Sequence, residues 1–210
     1  MTMTAQHEPL PRGHVVASYD VDTLGAPFRV TVLDSVVLLN DPQTGEERVQ
    51  IPDLVGLISA VVRTRVLHPR KLRFDEIKFI RKALGVKAKS LAMFLDVSPE
   101  HLSRCESGMK ILSSQDERIF RLFAFIATNY KEPQELLEKF GDEAEPERKK
   151  EVPETEIPGF IRKFLGLRIQ ALYDAKSELH FEFFRRSVEA SPNAQGVDDE
   201  RWITQPTLAA

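Results

Sequence analysis

One cysteine, Cys105, stands in 210 residues. A lone thiol excludes an intramolecular disulfide and any zinc site built on paired thiolates. The five histidines, His7, His14, His68, His101 and His180, lack metal-ligand spacing, so neither a metal nor a cofactor is expected. Long apolar runs are missing too. The longest, residues 55–62, ends at Arg63, well short of the ~20 residues a membrane span needs. Residues 1–14 hold no apolar stretch of signal-peptide type. These absences point to a cytoplasmic protein with no membrane partner. The chain also has no phosphate-binding loop, HExxH pair, nucleophile elbow or convincing carboxylate pair, so it does not read as an enzyme.

Hydrophobic residues make up 42% of the chain, a globular composition. The length suits one large domain or two small ones. A net charge of -3 argues by itself against a nucleic-acid partner, but the charge is unevenly spread. Residues 70–110 carry ten basic side chains against five acidic ones, whereas residues 141–210 carry ten against fourteen. A basic middle between acidic flanks suits local contact with DNA and little non-specific adhesion.

The pattern before residue 50 is that of strands. Phe28, Val30, Val32 and Leu33 lie in one β-rich stretch, Asp34-Ser35 offers a turn, and Val36, Val37, Leu38 and Leu39 follow. Val30, Val32, Val36 and Leu38 are the core candidates, with the inward face left open because the alternation breaks. Asn40-Asp41-Pro42-Gln43-Thr44-Gly45 is a dense turn signal, and residues 46–51 suit a returning strand. Pro52-Asp53 opens a helix to about Val66, with Leu54, Leu57, Ile58, Val61 and Val62 on one face, and Pro69 closes it.

Residues 75–84 have helical periodicity through Ile77, Phe79, Ile80 and Leu84. Gly85 stands where a helix end favours a left-handed residue. A second helix over 88–95 turns Leu91, Ala92 and Leu95 inward, and the small Ala92 admits a close helix crossing. Asp96-Val97-Ser98 is a tight turn, since aspartate tolerates the left-handed region. Ser98 suits an N-cap and Pro99 the first helical position. The third helix runs from Pro99 to about Ser107, with Leu102 and Cys105 inward and Gly108 as its stop. Ser113 or Ser114 caps a fourth helix, with Ile119, Leu122, Phe123 and Ile126 as an apolar face. Phe120, Phe123 and Phe125 of that helix are the preferred dimer contacts.

The stretch IKFIRKALGVKAKSLAMFLDVSPEHLSRCESG resembles the Cro/repressor-like (Xre) helix-turn-helix family, whose pattern reads LRxxLGLSQxELAxxLGVSxxxISRWExG. The matches are Leu84-Gly85-Val86, Leu91-Ala92, Leu95, Val97-Ser98, Leu102-Ser103-Arg104, Glu106 and Gly108. Ala88 replaces a glutamine that often binds phosphate, Asp96 a glycine and Cys105 a tryptophan. In such a motif the N-terminal part of the second helix enters the major groove. This brings Ser98, Pro99, Glu100, Ser103 and Arg104 to the DNA. Arg104 has the donors for guanine O6 and N7, and Glu100 either accepts from cytosine N4 or simply favours the helix N-terminus. His101 is expected near a phosphate. Lys87, Lys89 and Lys110 suit phosphate contacts, although each alone also fits an ordinary surface position.

The order of parts resembles the MqsA/YgiT-type antitoxins. RKLRFDEIKFIRKALGVKAKSLAMFLDVSPEHLSRCESG and ILSSQDERIFRLFAF carry this resemblance. Members usually bear a Cys-Pro-x-Cys-Gly-Glu zinc knuckle. Here Pro42, Gly45 and Glu46 remain, while Asp41 and Thr44 stand where the cysteines would be. The resemblance implies a homodimer that binds double-stranded DNA at its own operator and neutralises a toxin protein. The alternative is a stand-alone regulator without a toxin, whose N- or C-terminal region binds a ligand or protein.

The expected class is α+β, with a small N-terminal antiparallel β unit, a central all-α helix-turn-helix domain of four to five helices and a C-terminal α/β extension. The expected division is a disordered arm over 1–14, a β-rich domain with one helix over 15–68, the helix-turn-helix domain over 69–140, a charged linker over 141–158 and the extension over 159–210. In the extension, a helix to about Tyr173 precedes a strand in which Leu179, Phe181 and Phe183 alternate, with residues near Trp202 as its pairing partner.

Overall fold

The structure, a computed structural model, describes residues 12–40, 45–129, 168–169, 178–188 and 199–204. The turn at 41–44, the linker at 141–158 and, apart from residues 168–169, the helix expected to Tyr173 lie outside the described residues. The chain is α+β and divides into two compact units. One comprises residues 1–23, 29–57 and 180–210, the other residues 24–28 and 58–179.

The first unit is a five-stranded sheet of β1 (Arg12–Asp20), β2 (Arg29–Asn40), β3 (Glu47–Gln50), β4 (His180–Val188) and β5 (Asp199–Thr204). Residues 12–14 already belong to β1. This strand runs antiparallel along β2 from Asn40 to Thr31. The other edge of β2 is shared, with β4 parallel along residues 29–33 and β3 antiparallel along 37–40. Arg185 of β4 pairs with Trp202 of β5. These two strands do not form a sheet of their own. Phe181 and Phe183 come into register with Val30 and Val32 of β2, and all four are buried. Matching apolar alternation is what docks a distant strand there.

Asp34-Ser35 is not a turn. The pair is a β-bulge within a continuous β2: Val16 faces Val36 and Ser18 faces Leu33, so two residues stand opposite Ala17. Asp34 takes the left-handed conformation (φ 47°), which aspartate tolerates better than most residues. The extra residue also explains the broken alternation. Val32 pairs with Tyr19 and Val36 with Val16, an odd separation on β1, so the two valines lie on opposite faces. Ser35 uses the gap, its hydroxyl accepting the Arg185 N–H at 3.3 Å just beyond the last β2–β4 pair.

Helix α1 (Leu54–Leu67) starts at Asp53, whose carboxylate accepts the Gly56 N–H at 2.9 Å and whose carbonyl accepts the Trp202 indole N–H at 3.0 Å. Leu57, Val61 and Val62 are buried, but Leu54 is not: it is 44% exposed. The buried stripe continues instead through Arg65 and Val66.

The second unit holds the rest of α1 with α2 (Phe74–Ala83), α3 (Ala88–Phe94), α4 (Pro99–Glu106) and α5 (Ser114–Ala127). Val66, Ile77, Ile80, Leu91, Ala92, Leu102, Cys105, Phe120 and Phe123 share one core. Phe120 and Phe123 are therefore not a dimer surface, and Ile119, expected inward, is 38% exposed. Helix α5 buries the face containing Glu117, Phe120, Arg121, Ala124 and Ala127, two charges included.

Those charges explain the choice. Arg121 forks onto Glu117 at 2.7 and 3.0 Å and donates to the carbonyls of Val66, His68 and Arg70. Glu117 also accepts from the Leu72 N–H and the Lys71 ammonium. Arg65 forks onto Glu76 at 2.7 and 2.8 Å and donates to the carbonyls of Arg70 and Lys71. In the connector over residues 68–73, the carbonyls of His68, Arg70 and Lys71 and the N–H groups of Leu72 and Arg73 are thus satisfied by four buried charged side chains. Among the described residues, no helix is long and apolar enough to cross a membrane.

Candidate nucleic-acid interface

Helices α3 and α4 are set by two turns of the same construction. After α2, the Gly85 N–H reaches Lys82 O at 3.0 Å and the Val86 N–H reaches Arg81 O at 3.1 Å, with Gly85 left-handed (φ 68°). After α3, the Asp96 N–H reaches Met93 O at 3.1 Å and the Val97 N–H reaches Ala92 O at 3.0 Å, with Asp96 left-handed (φ 54°). Both are Schellman motifs, which satisfy the last carbonyls of one helix and redirect the chain. The hydrophobic residue that follows each turn, Val86 or Val97, packs into the core.

Ser98 begins α4 as read from the sequence. Its hydroxyl accepts the His101 N–H at 3.1 Å, and Pro99 occupies the first turn. Leu102 and Cys105 face the core. Burial pushes the Cys105 thiol above its ordinary range, so it is a neutral packing group. Helix α4 is fixed from outside the core by a side-chain pair that the sequence reading did not assign. The Arg81 guanidinium meets Glu106 at 2.6 and 2.8 Å and also donates to the Val86 carbonyl at 2.9 Å. Glu106 raises the Arg81 pKa further. One arginine therefore ties the end of α4 to α2 and to the turn before α3. No local pattern links residues 25 positions apart. The one sequence signal was that Glu106 fits the helix-turn-helix pattern this stretch resembles.

Pro99, Glu100, Ser103 and Arg104 are all exposed, and their spacing of three to four residues puts them on one side of α4. His101 is half-buried. The Glu100 carboxyl lies below the usual range, because its own backbone N–H and the Ser98 hydroxyl hydrogen-bond it and Arg104 one turn on attracts it. Glu100 thus serves the helix N-terminus in this structure. Lys87 is the N-cap residue of α3 and Lys89 lies in its first turn, both exposed. Lys110 is exposed beyond α4, its N–H held by Arg104 O at 3.0 Å. The expected residues thus fall into an exposed side of α4, two lysines at the start of α3 and one lysine in the loop after α4.

No three histidine, cysteine, aspartate or glutamate side chains converge as a metal site among the described residues. Asp41 and Thr44 lie outside them. Comparison of the chain with protein-family models, with curated proteins and with solved structures gives no match in any of the three.

Proposed function

We propose that the protein is a transcriptional regulator of antitoxin type that binds double-stranded DNA sequence-specifically, as a homodimer on an inverted repeat. The observation that carries this reading is the exposed side of α4, with Glu100, Ser103 and Arg104 on a helix held by a Schellman turn, a serine cap and the Arg81–Glu106 fork. A short rigid helix presenting a long cation and small polar groups suits base edges in a major groove. Lys87, Lys89 and Lys110 supply sequence-independent charge for phosphates. One such helix reads one half-site, so two-fold symmetry is needed for a specific operator, with half-sites about 34 Å apart or a multiple of that. The dimer uses a surface other than Phe120 and Phe123, which are buried.

Selection of bound fragments from genomic DNA tests the reading. The expected result is one enriched inverted repeat, lost with Arg104→Ala. A toxin-coding gene beside that repeat assigns the antitoxin role, and its absence assigns a stand-alone regulator. Recovery of fragments no different from the input, or an asymmetric site bound by a monomer, overturns the proposal.

A further inference from the structure

A cavity of about 320 Å³ lies between the start of α2 and the segment that follows α4. Small-molecule sites typically occupy roughly 300–1,000 Å³. Its floor is buried and apolar, formed by Ile77, Cys105 and Leu112. Phe74 and Ile111 stand at the rim, and Ile111 is 77% exposed. Four of the eleven lining residues are cations, Arg70, Lys71, Arg73 and Lys110, and none is acidic. Two of these already hold carboxylates: Lys71 is 2.9 Å from Glu117 and Arg73 is 2.7 Å from Asp75. Lys110 is exposed and forms no ion pair among the described residues.

We propose that this cavity binds a small amphipathic anion, with its apolar body on the floor and its anionic head at Lys110. A bare anion would leave the apolar floor to water. An uncharged apolar molecule would crowd the Lys110 ammonium without compensating its charge. Only a ligand with both parts satisfies the two halves of the lining. The cavity also touches the DNA-reading element, because Cys105 belongs to α4 and Lys110 is a proposed phosphate contact. Ligand head and DNA phosphate compete for one ammonium, so the ligand weakens DNA binding. This last step rests on the DNA-binding reading, whereas the site itself does not.

The test uses the full chain labelled at isoleucine methyl groups, titrated with sodium octanoate and followed by NMR. Ile77 and Ile111 should shift saturably, while Ile119 and Ile126, which do not line the cavity, stay in place. Octan-1-ol and inorganic phosphate, each carrying half of the ligand's chemistry, should bind at least tenfold more weakly. Lys110→Glu should weaken octanoate roughly three- to tenfold. Saturating octanoate should lower affinity for the selected operator, and by linkage the operator should lower affinity for octanoate by the same factor. No saturable shift at Ile77 and Ile111, octanol as strong as octanoate, or phosphate alone sufficing would each overturn the site. Octanoate binding that leaves operator affinity unchanged would overturn the competition alone. Failure to find any operator bears on the proposed function and leaves the octanoate titration as it was.

Discussion

Arg121 lies one helical turn after Glu117, both fully buried, and grips it at 2.7 Å while its remaining donors take carbonyls of the connector between α1 and α2. Burial lowers the Arg121 pKa and Glu117 raises it back in part, so the charge is kept by its partner. Removing Arg121 leaves the buried Glu117 carboxylate with only the Lys71 ammonium and the Leu72 N–H, and strips the carbonyls of Val66, His68 and Arg70 of their buried donor. Arg121→Met should therefore cost about 3–5 kcal/mol. Urea unfolding monitored by circular dichroism measures this, and a loss below about 1 kcal/mol would contradict the geometry.

His68 sits in the same connector, its Nδ1 accepting the Arg70 N–H at 3.2 Å. Burial, followed by the positive charges of Arg65, Arg121 and Arg70, pushes its pKa down to about 4. The folded protein thus excludes a proton that the unfolded chain binds near pH 6.5. Stability from this group is complete above about pH 6.5 and is lost as pH falls toward 4. The full difference corresponds to about 3 kcal/mol, which partial exposure reduces to roughly 1–3 kcal/mol. His68→Asn keeps an acceptor for Arg70 and does not titrate. Between pH 7 and pH 5 the variant should lose less stability than the parent, and parallel curves would count against the assignment.

Asp96 occupies a left-handed position with φ 54°. Aspartate bears this strain better than most residues, but glycine bears none. Asp96→Gly should raise stability by about 0.5–1 kcal/mol, net of the entropy that glycine adds to the unfolded chain. A drop in melting temperature would show that the aspartate side chain itself contributes.

On the selected operator, Arg104→Ala should cost about 1–3 kcal/mol and relax the preference at one base pair. Lys87→Ala should weaken binding to all sequences alike and reduce the salt-dependence slope by about one unit. Fluorescence anisotropy across a salt series separates the two effects. Equal losses on operator and random DNA for Arg104→Ala would remove it from base reading.

Chelation should leave the melting temperature unchanged. A structural zinc site takes four ligands, usually thiolates and imidazoles. The one thiol, Cys105, is a buried packing group, and the sheet is held by Val30, Val32, Phe181, Phe183 and Trp202. Stoichiometric zinc in the purified protein, with unfolding on its removal, would contradict this.

The sequence by itself determined the helix-turn-helix segment. Its signals are local: Gly85, Asp96 and Gly108 at left-handed turns, Ser98 with Pro99 at a helix start, and apolar residues at helical spacing. Each acts within a few residues of its effect, so a linear reading recovers it. Tertiary structure alone decided three things. It joined residues 180–204 to a sheet begun at residue 12, because strand docking depends on facing apolar rows and not on distance along the chain. It turned Asp34-Ser35 from a turn into a bulge, because β1 pairs with β2 on either side of it, at Leu33 and at Val36, and so keeps the strand continuous. It also chose the face of α5. Periodicity counts apolar positions and passes over Glu117 and Arg121, yet a fork between them, with carbonyls to receive it, makes their burial favourable. Such a pairing exists only once α1, the connector and α5 have met.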